Sequence, residues 1–437
     1  MAIIAIDIET DGLLDELTTV HSLVMIPFTQ WKTLKPGTVI SLDPSNMHLF
    51  KSYYLPAMEE DDILIAHSGL GFDFPALQKV LDVEFPCKTW DSLLLSKLFY
   101  PNLADLDFTE WRKLGYMDSK TGKLRKDLPE DTVKVSPGSH SLKDWGIRLK
   151  CHKQDIKAIL GKEWYKKWTP ELQDYCILDV KVLIKLLTIL WAKPDFDRFL
   201  PAIILEHKFK YWVHKQEQHG FLFDVEKAEA LKDKLMFRLY QLESKLKEKY
   251  LPKMLPVGRV ITKRKRLVKK GALCPAHYGE GVEYTKLKTL EFSPSSGDCI
   301  AIWLKLEHNW EPFEFSKEKF SPDIQVLTGF VFKPSLTEKI VDELDIPGAD
   351  MLVEYAMLTK RLGQLSEGDN AWLKKQVNGR IHGGVDTMGA GTFRCTHKKP
   401  NLAQVTSLDK PYGKECRELF GASEQLANAS EVSHDRD

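Results

Sequence analysis

The residues of this chain best suited to chemistry begin with two carboxylates near its start. Asp7 and Glu9 follow an apolar stretch at residues 3–6 that has the pattern of a short buried strand. Residues two apart in a strand point to the same face of a sheet, so both side chains are expected to project together. Mg²⁺ and Mn²⁺ prefer oxygen ligands of this kind. On its own, however, the pair is more typical of a solvated turn than of a metal site.

Two further carboxylates and a phenol favour the metal-site interpretation. Asp73 follows a strand-like stretch at residues 63–66 and opens a predicted helix, where capping is its alternative role. Asp179 lies one turn after Tyr175 on a long helix predicted over residues 170–190. Because residues four apart share a helix face, the carboxylate and the phenol can point into one site. For Tyr175 alone, the alternative is a tyrosine packed in the core.

The order and spacing of these segments resemble the DnaQ-like exonuclease superfamily, in its tyrosine-bearing branch. The matching motifs are D-I-E-T-D-G at residues 7–12, F-D-F-P at 72–75 and Y-C-I-L-D at 175–179. Ser68 stands where the family usually has an asparagine. This difference concerns how the DNA end is held and leaves every expected metal ligand in place.

The resemblance implies a 3′→5′ exonuclease that hydrolyses phosphodiesters with two metal ions, either Mg²⁺ or Mn²⁺. Two ions about 4 Å apart can activate water, neutralise the phosphate and stabilise the departing 3′-oxygen. The implied catalytic metal ligands are Asp7, Glu9, Asp73 and Asp179. The hydroxyl of Tyr175 is expected to orient the attacking water. Cleavage would release nucleoside monophosphates from a single-stranded 3′ end of DNA.

A second resemblance covers most of the chain and is to family A DNA polymerases of the short-tailed-phage replicative type. The segment at residues 139–146 (S-H-S-L-K-D-W-G) resembles part of that family's exonuclease domain. F-S-P-S-S at residues 292–296 resembles its thumb motif, and K-R-L-G-Q at 360–364 resembles the thumb helix that returns to the palm. These matches imply that the chain belongs to a DNA-replicating enzyme.

The most specific match of this kind consists of G-R-I-H at residues 379–382, T-F-R at 392–394 and P-N-L-A-Q at 400–404. In the family this stretch follows the primer-template duplex, and its contacts with backbone and minor groove are largely independent of sequence. The implied DNA-binding residues are His382, Thr392, Arg394, Asn401 and Gln404. Phe393 stands where the family usually has glycine, and its bulk conflicts with a close approach of the backbone to DNA. An irregular surface loop is the alternative for this stretch.

A basic segment is the clearest sign of nucleic acid in the charge pattern. The chain as a whole is balanced, with 62 basic and 62 acidic residues, but residues 251–279 contain no acid. This segment includes the predicted DNA-binding residues Lys263, Arg264, Lys265 and Arg266. Such a patch suits a phosphate backbone, and a solvated loop is the alternative. The best-known phage members of the family carry a longer insertion at this place, which recruits a host thioredoxin. For the short insertion here we expect direct DNA contact, and a thioredoxin-like processivity factor stays open.

These patterns predict an α/β domain followed by a mainly α-helical region. We expect an RNase H-like, DnaQ-type exonuclease domain at residues 1–192. The expected regions that follow are a thumb at 193–375 with a short basic insertion near 253–290, the start of a palm at 376–421 and a polar tail at 422–437. The family's palm strand with D-x-S-x-x-E, its fingers helix and its second palm aspartate find no match. We therefore expect an incomplete palm, no polymerase site in this chain alone, and a second chain as one source of palm and fingers.

Composition limits the class of protein. Seven cysteines without a C-x-x-C pair favour reduced thiols over a disulfide scaffold. No apolar run approaches the roughly 20 residues that a membrane-spanning helix needs. The start of the chain leads directly into a strand instead of a signal peptide. We expect a cytoplasmic protein, in the host cytoplasm if it is phage-encoded, with no membrane partner.

Three functions remain compatible with the sequence. The leading hypothesis is a proofreading 3′→5′ DNA exonuclease that forms part of a family A DNA polymerase. An exoribonuclease of the same superfamily is the enzymatic rival, which the thumb and primer-template motifs disfavour. A non-catalytic DNA-binding or assembly half of a split DNA polymerase is the rival from another class.

Overall fold

The computed structural model describes residues 2–28, 36–118, 122–125, 127–128, 135–151, 156–261, 283–336 and 346–421. The chain forms two compact units. The first unit consists of Met1–Gly220 and Gly383–Lys398, and the second of Phe221–His382 and Lys399–Asp437. The predicted exonuclease, thumb and palm limits are functional assignments that this division does not test. The predicted tail at 422–437 lies outside the described residues.

A mixed sheet forms the centre of the first unit. Its strands are β1 (Ile3–Thr10), β2 (Val20–Phe28), β3 (Ile40–Leu42), β4 (Ile63–Ala66) and β5 (Lys88–Asp91). Their order is β3-β2-β1-β4-β5, and β1 pairs antiparallel with β2 but parallel with β4. All four residues of β4 are apolar and buried, as expected for a parallel strand covered on both faces. The central position of β1 places Asp7 and Glu9 in the middle of the sheet.

Seven α-helices of the described residues belong to the same unit. They are α1 (Asp73–Leu81), α2 (Ser92–Phe99), α3 (Leu103–Lys113), α4 (Leu142–Arg148), α5 (Ile156–Leu160), α6 (Pro170–Trp191) and α7 (Phe196–His219). The helix predicted over 170–190 is confirmed as α6. It begins with the Thr169 side chain accepting a hydrogen bond from the Leu172 N–H, and Pro170 fits its first turn. Its buried residues recur every three or four positions, so one face packs on β1 and β2.

The second unit is built mainly from helices. They are α8 (Val225–Lys249), α9 (Gly297–His308), α10 (Pro322–Thr328), α11 (Ala349–Leu362), α12 (Trp372–Lys375) and α13 (Gly413–Glu418). The side chain of Asp224 caps α8 by accepting a hydrogen bond from the Lys227 N–H at 2.9 Å. α8 packs on α11, and the Arg238 guanidinium binds the Glu354 carboxylate across this contact at 2.6 and 2.7 Å. Helices thus lie where a mainly α-helical region is expected, but strands accompany them.

Short strands complete the second unit. They are β6 (Phe221–Phe223), β7 (Lys253–Ile261), β8 (Glu283–Leu290), β9 (Phe315–Lys319), β10 (Phe332–Pro334), β11 (Gln376–Val377), β12 (Arg380–Ile381) and β15 (Phe420–Gly421). One sheet has the order β11-β12-β6-β15, while β7 with β8 and β9 with β10 form antiparallel pairs. The sequence patterns predict none of these strands beyond residue 192.

A hairpin from late in the sequence belongs to the first unit. Its strands are β13 (Gly384–Asp386) and β14 (Thr396–Lys398). Lys97 on α2 binds both carboxylate oxygens of Asp386 at 2.7 and 2.8 Å. The Val385 N–H donates to the Glu217 carboxylate at 2.5 Å, and Met388 is buried in the core of the unit. The hairpin is therefore an integral part of this unit.

No helix in the described ranges is long and apolar enough to cross a bilayer.

Candidate metal centre

Three carboxylates of the first unit converge. Asp7 and Glu9 project from the same side of β1, and Asp179 lies on α6, which packs across that strand. One carboxylate oxygen from each residue lies within 4.8 Å of the other two. Carboxylates held so close repel one another unless they are protonated or share a cation. The donor set consists of hard oxygen atoms and fits Mg²⁺ or Mn²⁺.

The fourth predicted ligand, Asp73, lies beside this group without being one of the three. It is the first residue of α1 and is only 5% exposed. Its carboxylate accepts a hydrogen bond from the Ile8 N–H on β1. Burial raises the pKa of Asp73 to about 7, and the charges of Asp91 and Asp179 act in the same direction. A cation at this place would reverse that electrostatic balance and favour the ionised carboxylate.

Tyr175 lies one helical turn before Asp179 on α6, as the sequence predicts. Its ring is half-buried and packs edge-to-face against Trp164, with ring centroids 6.1 Å apart. This contact restricts the orientation of the phenol on the helix face that carries Asp179. The role of its hydroxyl in orienting water stays a prediction.

Cys176 is a residue of the centre that sequence reasoning missed. Its thiol is fully buried and donates toward the Asp7 carbonyl oxygen at 3.3 Å and the Asp7 carboxylate at 3.5 Å. Burial raises the pKa of this thiol well above its ordinary value, and the carboxylates of Asp7, Glu9 and Asp179 add to that effect. The thiol is therefore a stable donor. Its position three residues before Asp179, on the same helix face, was the available signal.

Asp91 and His207 form a second missed feature, which holds the loop before Asp73. The buried carboxylate of Asp91 caps α2 by accepting from the Leu93 N–H at 2.9 Å and also accepts from the Ser68 N–H at 2.8 Å. The Asp91 N–H donates to Nε2 of His207 at 2.8 Å. Burial raises the pKa of Asp91 to about 6 and lowers that of His207 to about 4. A neutral imidazole and a carboxylate thus fix the end of β5.

The loop held by Asp91 is tightly packed. Ser68 has a φ of 66°, a left-handed conformation that is uncommon for a residue other than glycine or asparagine. A Cβ atom on Gly69 would lie 2.5 Å from the Cβ of Ala66 and 2.9 Å from the ring of Phe74. Only glycine fits there, so the backbone comes close to α1. The loop therefore determines where α1 begins and where Asp73 is placed.

The predicted DNA-contact residues fall in both units. Thr392 and Arg394 are exposed on the hairpin of the first unit, and His382 and Gln404 are exposed in the second. Asn401 is half-buried, and its side chain accepts from the Ala403 N–H at 3.1 Å. The basic residues at 263–266 lie outside the described residues. The roles of all of these side chains in DNA binding stay predictions.

Comparison with solved structures relates the whole described fold to DNA polymerases. The POL domain of Pol1 from M. smegmatis, in complex with DNA primer-template and dNTP, matches with a TM-score of 0.55 and 12% identity. The match covers 97% of this chain and 55% of that one. At this identity the likeness concerns the fold alone.

Comparison of sequences narrows the class of protein further. The chain is 31% identical over 494 residues to the DNA-directed DNA polymerase of Escherichia phage T7, and 30% identical over 490 residues to that of Enterobacteria phage T3. Each match covers 96% of this chain and 65% of the relative, so the chain spans about two thirds of its relatives' length. No protein-family model matches the chain. By fold the chain is similar to a DNA polymerase domain. By sequence it fits the phage-type family A DNA polymerases, which confirms the predicted resemblance.

Proposed function

We propose that the first unit is a 3′→5′ DNA exonuclease that hydrolyses phosphodiesters with two divalent metal ions. The convergence of Asp7, Glu9 and Asp179 within 4.8 Å is the observation that supports this proposal most directly. Asp179 comes from a distant part of the sequence, and its helix packs on the central strand that carries Asp7 and Glu9. The strand order β3-β2-β1-β4-β5, with helices around it, supports an RNase H-like domain of the DnaQ type.

Each side chain would have its own role in phosphodiester hydrolysis. Asp7, Glu9 and Asp179 would hold the ions, with Asp73 as the further ligand. When bound, the ions supply an activated water and charge neutralisation at the phosphate. The hydroxyl of Tyr175 would orient the water. Cys176 would restrain Asp7 through its thiol.

The wider role that fits this site is proofreading during DNA replication in the host cytoplasm. The similarity to phage DNA polymerases and the complex of the M. smegmatis structural neighbour with primer-template DNA support DNA as the partner. In this proposal the second unit supplies a thumb and the start of a palm that grip the duplex. Capture of a thioredoxin-like factor and addition of palm and fingers by a second chain remain open alternatives.

The first test is degradation of 3′-labelled single-stranded DNA by the purified chain with Mg²⁺ or Mn²⁺. We expect mononucleotide release, and a loss of at least about 100-fold in the double variant Asp7→Ala, Glu9→Ala, because electrostatic groups of a preorganised site contribute this much. Glu60→Ala, Asp61→Ala is a matched control, since both side chains are exposed carboxylates of the same unit. Equal rates in the two double variants would overturn the proposal.

Three further outcomes separate the alternatives. Faster degradation of RNA than of DNA would favour the exoribonuclease. Folded but inactive protein that binds primer-template DNA would favour the non-catalytic assembly half. Templated nucleotide incorporation by the chain alone would overturn our expectation that it lacks a polymerase site.

A further inference from the structure

The tip of the hairpin between β13 and β14 presents an aromatic ring in a strained conformation. Phe393 has a φ of 59°, although a bulky side chain disfavours the left-handed region. The turn is closed by its N–H donating to the Ala390 carbonyl at 2.9 Å and by the Ala390 N–H donating to the Arg394 carbonyl at 3.1 Å. Phe393 remains 42% exposed, so its ring is accessible to a ligand. Strain of this kind is found most often at functional sites.

Phe393 lines a cavity of about 610 Å³ that lies within the first unit. The other walls come from the loop before α1, from α2 and from the start of α4. They include Ser68, Leu93, Lys97, His140 and Leu142. The cavity thus extends from the hairpin tip to the loop that places Asp73. Its size is within the range of sites that hold a small organic group.

The charged groups around this cavity are compensated. Lys97 is paired with both oxygens of Asp386. Burial lowers the pKa of His140 to about 4, with the charges of Lys97 and Arg148 acting in the same direction, so its ring is neutral at neutral pH. A phosphate group would find little net positive charge here. An uncharged planar group with polar edges fits these walls better.

The hairpin that carries the Phe393 ring is fixed by side-chain contacts at its base. The bidentate pair of Lys97 with Asp386 and the hydrogen bond from Val385 to Glu217 fix the base of the hairpin. Met388 is only 4% exposed and belongs to the core of the unit. Phe393 is therefore a preorganised platform, and little ordering is required when a ligand stacks on it.

We propose that this cavity is a stacking subsite for an unpaired nucleobase of the DNA strand whose 3′ end is cleaved, with Phe393 as the stacking ring. The inference rests on the proposed exonuclease and adds the residue that holds its single-stranded substrate. Aromatic side chains stack on any base because every base has a π-face, so the subsite tolerates all sequences.

The test measures binding without cleavage. The full chain carrying Asp7→Ala, Glu9→Ala is titrated with single-stranded DNA that has 2-aminopurine near its 3′ end, whose fluorescence is quenched when it stacks. We expect quenching with Phe393 and with Phe393→Tyr, and a loss of roughly fivefold or more in affinity with Phe393→Leu. Tyr53→Leu removes another exposed aromatic ring of the unit, outside the cavity, and should bind normally.

A second binding experiment determines which nucleobase of the strand stacks on Phe393. Oligonucleotides with one abasic position at successive places from the 3′ end should lose affinity at a defined position with Phe393, and at no position with Phe393→Leu. Thermal melting of each variant checks that it is folded. Equal quenching and the same abasic profile in Phe393→Leu would overturn the subsite. That result would leave metal-dependent degradation by the unmodified chain unaffected, so failure of the subsite and failure of the exonuclease are distinguishable.

Discussion

The carboxylate of Asp91 accepts a hydrogen bond at 2.8 Å from the N–H of Ser68, the residue in a left-handed conformation that begins the turn into α1. The end of β5 thereby restrains the loop that places Asp73. The contact joins residues 23 positions apart, and the Asp91 backbone is itself bound by His207 on α7. We therefore propose that Asp91 is a positioning residue, which would act on the candidate metal centre through the backbone of a neighbouring loop.

We expect Asp91→Ala to lower the exonuclease rate by about 10- to 100-fold at saturating metal, because small misplacements of catalytic groups have effects of this size. Asp91→Asn should retain most activity, since its amide oxygen can still accept from the Ser68 and Leu93 N–H groups. The measurement is the initial rate on single-stranded DNA. Asp144→Ala is the matched control: Asp144 is a buried carboxylate that accepts from the Ser136 N–H at 2.9 Å. Equal rates in the two alanine variants, at comparable melting temperatures, would contradict a positioning role.

Replacing Cys176 tests the thiol that contacts Asp7. Cys176→Ala should reduce the rate by about 3- to 10-fold, the equivalent of one hydrogen bond. Cys176→Ser retains a donor in nearly the same volume and should stay closer to the unmodified chain. Cys416, a buried cysteine of the second unit, provides the control variant Cys416→Ala. A smaller loss with alanine than with serine at position 176 would show that the thiol does not restrain the carboxylate.

Metal binding should depend on pH through Asp73. Its pKa of about 7 lies above the ordinary value of 3.8, so a bound cation must displace a proton at lower pH. The rise in melting temperature produced by Mn²⁺ should therefore increase between about pH 5 and pH 7 and level off above that. Asp73→Asn should flatten this dependence as well as weaken binding. A pH-independent shift in the unmodified chain would argue against Asp73 as a ligand.

His207 should contribute an acid-sensitive part of stability. Its folded-state pKa of about 4 lies below the ordinary 6.5, so the unfolded chain binds more protons between these values. The contribution is fully present above about pH 6.5 and is lost as the pH falls toward 4. The raised pKa values of Asp73 and Asp91 act in the opposite sense over much of this range. The comparison of unmodified chain with His207→Gln in melting experiments isolates the histidine, and parallel curves would contradict the prediction.

Sequence patterns predicted the features that depend on residues close together in the chain, such as helix starts and the faces of strands and helices. The start of α6 follows from Thr169 as the capping residue and Pro170 at the first helical position, both of which favour a helix start through local contacts. The convergence of Asp7, Glu9 and Asp179 agrees with the expectation from strand and helix periodicity. The contact of Lys97 with Asp386, across 289 positions, has no local signal. Strands such as β11 and β12, with two residues each, are too short to show a period.

The hairpin has a consequence for dissecting this chain into fragments. The polypeptide passes between the two units at Gly220–Phe221, again at His382–Gly383 and again at Lys398–Lys399. No single cut separates the units. A fragment ending at Gly220 would lose the carboxylate that neutralises Lys97, the N–H that Glu217 binds and the side chain of Met388 from its core. An autonomous version of the first unit would have to include residues 383–398, joined by a designed linker.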